Sequence, residues 1–225
     1  MSMKKQLPAK ELITSWDDGS PYDLRLAELL DKYSIPGIFY IPITNPEREV
    51  MTKSHIRQLS AKFEIGGHTY SHEDLTSVSL REAEREIVNG KKELENILGK
   101  KVDKFCYPKG MFNKDIKKLV KKAGFSGART ARIIFTGKNE EPYEENPNLH
   151  VYNHMQITYL AHCIKNADLT TAFKVISLKR CHFTDVAKQL FFPGFHIWGH
   201  SWELEEKKRW KDLERFLDFV KSDVD

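Results

Sequence analysis

Apolar runs long enough to cross a bilayer are missing from this chain: none approaches the roughly 20 residues that a spanning helix needs. Met1 to Lys10 carries Lys4 and Lys5 with no apolar segment behind them, so the pattern of a signal peptide is absent. Cysteine is scarce. Cys106, Cys163 and Cys181 are three in 225 residues, an odd number without close pairing, which argues against a disulfide framework. The neighbours His162-Cys163 and Cys181-His182 lack any C-x-x-C spacing, so they read as core and surface residues and not as a zinc finger. A strong excess of one charge is missing too. The net charge is +4, and Lys117-Lys118 and Lys121-Lys122 lie in helical stretches as solvated faces, which argues against a nucleic-acid groove. No internal repeat, low-complexity tract or domain boundary breaks the chain. These absences leave a reduced, cytoplasmic protein with one domain over 1–225 as the expectation, its 40% hydrophobic and 30% charged residues suiting a globular core.

What is present is an alternation of strand and helix signals. Leu12 to Trp16 is predicted as a first strand, followed by a helix over Tyr22 to Tyr33 and a buried strand over Gly37 to Ile41. A helix opened by Ser54, a strand Glu64 to Gly67, and a long helix from the capping box at Ser79 to a stop at Gly99 come next. Lys104 to Tyr107 and Gly127 to Arg132 are further strands, with a helix over Asn113 to Lys122 between them. Thr136 to Leu149, rich in Gly, Asn, Pro and Glu, is expected as an insertion or lid. Beyond it a strand near Val151, a helix around Tyr159 to Ala167 and a strand or helix near Phe173 to Leu178 are expected. A strand Gly194 to Gly199 and a helix Glu205 to Lys221 close the chain. Such alternation implies parallel strands joined by crossovers.

The polar motifs fall just past strand ends, where chemistry collects in parallel α/β folds. Gly66-Gly67 precede His68-Thr69-Tyr70-Ser71-His72, whose histidines would share one face of a helical turn, with the glycines allowing a sharp approach. Asp17-Asp18-Gly19 follows the first strand. Alone it would be a turn, and the histidines alone would be solvated side chains. Together, Asp18, His68 and His72 make a two-histidine, one-carboxylate set that leaves positions on a divalent cation open. Zinc suits these donors; cobalt, nickel or manganese would fit as well. No glutamate lies between the histidines, so a base must come from elsewhere, and Asp17 is the nearest supplier. A cation beside the two carboxylates would keep both ionised, and it would lower the pKa of a bound water to about 7. His200, after the last strand, is the expected acid, and His196 the expected structural hydrogen-bonder. Lys109, in Tyr107-Pro108-Lys109-Gly110, is placed to offer its N–H to an oxyanion. Trp16, Tyr70, Tyr107 and Trp202 are candidates to wall a sugar groove, each with core packing as the plainer role.

These stretches resemble the polysaccharide deacetylases of carbohydrate esterase family four, the NodB-homology domain. Ser15-Trp16-Asp17-Asp18-Gly19 is similar to the first motif, T-F-D-D-G, and His68 to His72 match the second, H-[ST]-x-x-H, in full. Cys106-Tyr107-Pro108-Lys109-Gly110 is similar to the third motif, R-x-P-[aromatic]-G, and His196 to His200 to the last. The resemblance implies a distorted, seven-stranded (β/α) barrel and metal-dependent removal of an acyl group, acetyl being expected, from an amino sugar in an oligosaccharide or glycolipid. It implies Asp17 as base, Asp18, His68 and His72 as metal ligands, and His200 as acid. Tyr107, Pro108, Lys109, Arg129 and Trp202 complete the expected substrate-facing set. Two departures stand out: Cys106 occupies the place of an arginine that contacts the base, and no D-x-x-x-W motif is present. Arg129 is the expected replacement charge. Two alternatives remain open at this level: hydrolysis of a formamide or other small amide, and a binding protein that has lost catalysis.

Overall fold

The computed structural model describes residues 12–179 and 181–222; the reading of Met1 to Lys10 lies outside the described residues. Among the described residues seven strands form one sheet in which every strand pair is parallel. They are β1 (Leu12–Asp17), β2 (Gly37–Ile41), β3 (Glu64–Gly67), β4 (Lys104–Cys106), β5 (Gly127–Arg129), β6 (Leu149–His150) and β7 (Phe195–Gly199). The spatial order is β5-β4-β3-β2-β1-β7-β6. Strands β1 to β5 step outward in sequence order, and the chain then crosses to the far edge for β6 and returns to place β7 beside β1. The result is a curved half-barrel flanked by helices, the distorted NodB-like barrel expected from the motifs.

The segment expected as a lid closes this barrel instead. Glu145 gives its N–H to Ala128 and accepts from Thr130 on the β5 side, while Phe135 donates to Asn148 and His150 to Ile133 on the β6 side. Both exposed sheet edges thus find partners in irregular backbone, which satisfies groups that would otherwise be left unpaired.

Helices α1 (Asp23–Lys32), α2 (Lys53–Leu59), α3 (Leu80–Leu98) and α4 (Lys114–Lys122) cover the sheet between the first five strands. Ser79 accepts the Glu82 N–H to open α3, and Gly99, with φ +65°, closes it, as the capping signals predict. Helix α2 starts one hydroxyl earlier than expected, because Thr52, not Ser54, takes the His55 N–H. Between β6 and β7 lie α5 (Gln156–Lys165), α6 (Leu169–Ile176) and α7 (Phe183–Leu190). A separate α8 (Ser201–Glu206) ends where Lys208 adopts φ +54° and Arg209 bonds back to Leu204, and the helix expected over Glu205 to Lys221 starts later, as α9 (Trp210–Ser222). The core runs along both faces of the central strands, from Leu12, Trp16 and Phe39 to Phe195, Ile197 and Phe216. Cys106, Cys163 and Cys181 are all free thiols.

Candidate active site

Because all strands run the same way, their C-terminal residues meet at one rim. Register makes this specific. Gly67 lies opposite Phe105, Cys106 opposite Arg129, Trp16 opposite Gly199 and His150 opposite Trp198. Asp17-Asp18, His68, Cys106, Arg129, His150 and His200 are therefore neighbours across the sheet although 183 residues separate the first from the last.

His68 and His72 reach the rim by a route other than a helical turn. The peptide from His68 to His72 is a loop, with Thr69 at φ +66° and His72 at φ +59°, and Asp18 is likewise left-handed at φ +77°. Non-glycine residues in this region carry strain of about 1–3 kcal/mol each and concentrate at functional sites. Helix α3 braces the loop: Glu86 accepts the N–H groups of Tyr70 and Ser71 at 3.1 and 2.8 Å. Gly90 allows the contact, since a Cβ there would lie 2.6 Å from the Thr69 carbonyl carbon and oxygen. Gly66 and Gly67 are strand residues and not the turn; a Cβ on Gly66 would stand 2.4 Å from the Tyr40 ring.

Three donor atoms converge. His72 Nε2 is 3.1 Å and His68 Nε2 3.6 Å from Asp18 Oδ1, and all three residues are buried. The other ring nitrogen of His68, Nδ1, donates to the Cys106 carbonyl at 2.8 Å, which leaves Nε2 as a lone pair aimed at Asp18. Asp18 Oδ1 itself is buried without a hydrogen-bond partner among the described residues. An ionised oxygen and two imidazole nitrogens facing a shared point, with one of them orphaned, fit a divalent cation. Burial favours a protonated Asp18, but the adjoining His68 and His72 imidazoles, with His200 further off, outweigh it and hold the carboxyl far below its usual range. Trp202 contributes an indole N–H to the second oxygen, Oδ2, at 2.8 Å.

Asp17 lies alongside, gripped by Arg129. The Nη2 of Arg129 contacts both Asp17 oxygens and donates to Cys106 Sγ at 3.0 Å, while Nη1 donates to the Thr130 carbonyl at 2.6 Å. Burial would raise the Asp17 carboxyl, but Arg129, helped by His68 and His200, lowers it. Arg129 on β5 thus supplies the charge whose usual place is occupied by Cys106, the facing residue on β4. Buried and set beside Asp17, the Cys106 thiol is pushed well above its ordinary range and stays protonated.

His200 faces Asp18 Oδ2 with Nε2 at 3.9 Å and donates from Nδ1 to Glu203 Oε2 at 2.8 Å. The same carboxylate oxygen meets His150 Nε2 at 3.1 Å, and His150 Nδ1 meets His154 Nε2 at 2.9 Å. Burial works to discharge His200, yet the Glu203 hydrogen bond and the Asp18 charge raise its pKa above the usual histidine value. Glu203 is held at about 2 against its own burial by the two histidines, while burial drives His154 down to about 4 and lowers His150. This chain of three histidines and one carboxylate is not visible in the sequence reading. The only sequence signal for Glu203 is its place three residues after His200, on the first turn of a helix that the periodicity did not reveal.

A cavity of about 360 Å³ opens over these groups, lined by Asp17, Asp18, His68, His72, Lys109, His200 and Trp202 among the expected residues. Glu47, Arg48, His150 and His154 join them without having been anticipated. Lys109 sits at φ +56° on the rim, its ammonium 3.0 Å from Glu47. Trp202 lines the cavity, but Arg48 covers one face of its ring at 3.2 Å. Tyr107 and Pro108 do not line it. Tyr107 is fully buried, stacked on Phe112 with its hydroxyl donating to the Tyr143 carbonyl, and Pro108 is buried beside it. Trp16 is core as well, and His196 is a buried partner of Ser15 Oγ at 2.8 Å.

The family model described as polysaccharide deacetylase matches residues 4–128, more than half of the chain. The protein belongs to the polysaccharide deacetylase family. Solved structures agree on the fold. The CE4 domain of a multidomain xylanase from the hindgut metagenome of Trinervitermes trinervoides is 15% identical with a TM-score of 0.62, covering 95% of this chain and 84% of that one. A CE4-family pseudoenzyme from Bacillus anthracis is 16% identical with a TM-score of 0.58, covering 96% and 62%. A polysaccharide deacetylase from Bacillus cereus is 22% identical with a TM-score of 0.51, covering 60% of this chain and 45% of that one. The chain therefore spans less than two thirds of both Bacillus proteins. No curated protein matches the sequence.

Proposed function

We propose that this polysaccharide deacetylase family member is a metal-dependent hydrolase that removes an acyl group, acetyl first among them, from the nitrogen of an amino sugar. The observation that carries the reading is the convergence of Asp18, His68 and His72 on one buried point beside a second carboxylate that a buried arginine keeps ionised. Asp18 Oδ1, His68 Nε2 and His72 Nε2 would hold the ion, zinc by preference, with cobalt, nickel or manganese accepted by the same donors. A divalent cation there supplies Lewis-acid polarisation of the amide carbonyl and a water that loses its proton near neutrality.

The chain's own groups do the rest. Asp17 takes the proton, and Arg129 fixes its orientation. The Lys109 N–H at the rim is the proposed oxyanion donor. His200, with Nδ1 committed to Glu203, presents Nε2 to the cavity and returns a proton to the departing amine. Glu47, Arg48 and Trp202 line a polar mouth suited to a hydroxylated ring.

Elemental analysis of the purified protein, with activity followed through chelation and metal readdition, tests the assignment. Asp17→Asn is expected to nearly abolish turnover while metal content stays intact, and His68→Ala to lose the metal. Full activity in Asp17→Asn would exclude the mechanism. Acetate against formate release across N-acylated sugars separates deacetylation from deformylation. A pseudoenzyme among the structural neighbours gives the alternative of a binding protein its weight; that alternative predicts sugar binding indifferent to chelator and no released amine.

A further inference from the structure

Large apolar side chains at the surface are concentrated in one place. Met155, Ile157, Ile164, Leu169, Phe173 and Ile176 are each 56–72% exposed, and no other described large apolar residue exceeds 51%. The pattern is regular. Helix α5 buries Tyr159 and Cys163 and exposes Ile157, Ala161 and Ile164; helix α6 buries Thr171, Ala172 and Val175 and exposes Leu169, Phe173 and Ile176. Both exposed sets fall at i, i+4, i+7, so each of these packed helices carries a second apolar stripe where a globular protein has a polar one.

Within the hairpin itself the exposed charges have one sign; the exposed Asp185 lies beyond it, on α7 near Lys179. Lys165, Lys174 and Lys179 are exposed. The only acid between Met155 and Lys179, Asp168, is turned to the protein, accepting the Thr171 N–H at 2.9 Å and the Thr136 hydroxyl. Lysine is depleted from protein–protein interfaces, whereas apolar side chains edged by lysine suit an anionic bilayer, where stems bury and ammonium groups meet phosphates. Among the described residues no helix is long and apolar enough to cross a membrane, so the hairpin can lie on one but not span it. It is also joined to the cavity: Met155, at the start of α5, directly follows His154 in the cavity wall.

We propose that the α5–α6 hairpin docks this protein on the surface of an anionic lipid bilayer, with the cavity mouth beside the headgroups. The inference does not depend on the catalytic reading. The test is co-sedimentation of the full chain with vesicles of phosphatidylcholine alone and of phosphatidylcholine with phosphatidylglycerol. The expected result is binding to the anionic vesicles, weakened by salt, and lost in Ile164→Ser/Phe173→Ser with the circular dichroism and melting temperature unchanged. Lys165→Gln and Lys174→Gln, which leave the apolar stripes intact, are each expected to weaken binding about five-fold. Failure of the wild-type chain to bind anionic vesicles, or equal binding by the double serine variant, would overturn the proposal. So would a concentration-dependent dimer abolished by the serine substitutions, which would assign the surface to a second copy.

Discussion

Arg129→Met isolates the interaction that keeps the proposed base charged. The guanidinium and the Asp17 carboxylate are 0% and 4% exposed, so neither has water to fall back on. Breaking one half of a buried pair costs about 3–5 kcal/mol, much of it from the uncompensated partner. In the native protein Asp17 titrates below its unfolded value, so the pair's contribution is complete above about pH 4 and fades as pH falls through the folded value. In the variant, burial acts on Asp17 with its main opponent removed and carries the carboxyl above the unfolded value. The folded state then binds the proton more tightly, and the deficit against wild type should shrink from pH 7 toward pH 4. Urea unfolding in chelator, repeated across that range, measures both effects. Asp17→Asn/Arg129→Met removes the stranded charge and should recover most of the loss, giving a coupling energy of about 2 kcal/mol or more. A single-variant loss under about 1 kcal/mol, with additive behaviour in the double variant, would refute the reasoning.

Other perturbations read separate parts of the site. Gly90→Ala forces a methyl against the Thr69 carbonyl and should cost about 1–3 kcal/mol while weakening metal affinity; Gly99→Ala, at a left-handed cap with open space, should cost about 1 kcal/mol and leave metal affinity alone. Isothermal titration with zinc distinguishes them. Glu203→Gln removes the charge that raises His200, so the alkaline limb of the pH–rate profile should move to lower pH, with turnover down about 10- to 100-fold; an unmoved limb would deny Glu203 its role. His196 is held neutral down to about pH 3, against about 6.5 when unfolded. Between those values the unfolded chain binds the extra proton, so His196 lowers stability as pH falls, by up to about 1.4 kcal/mol per pH unit. His196→Gln should flatten that slope in pH-dependent melting curves.

Local chemistry carried much of this protein in its sequence. Apolar runs ended by Gly or Pro mark β2 and β3 to the residue, and Ser79 with Gly99 marks α3, because capping and strand termination are decided within a few residues. The pairing of Asp17-Asp18 with His68 and His72 was legible because each motif follows a strand, and parallel strands end at a common rim. Tertiary structure alone decided what supports them. Arg129 meets Asp17 because β5 lies beside β4 with Cys106 and Arg129 in register, a relation across 112 residues that no local pattern encodes. The histidine loop stands on α3 because Gly90 lacks a side chain, and Glu203 meets His150 and His200 only after α8 folds back over the rim. The stretch from Thr136 to Leu149 has the composition of a surface loop, yet the gap between two sheet edges makes it part of the wall of the barrel. Short-range preferences set the elements; hydrogen-bond demand and burial across the sheet set which of their residues meet.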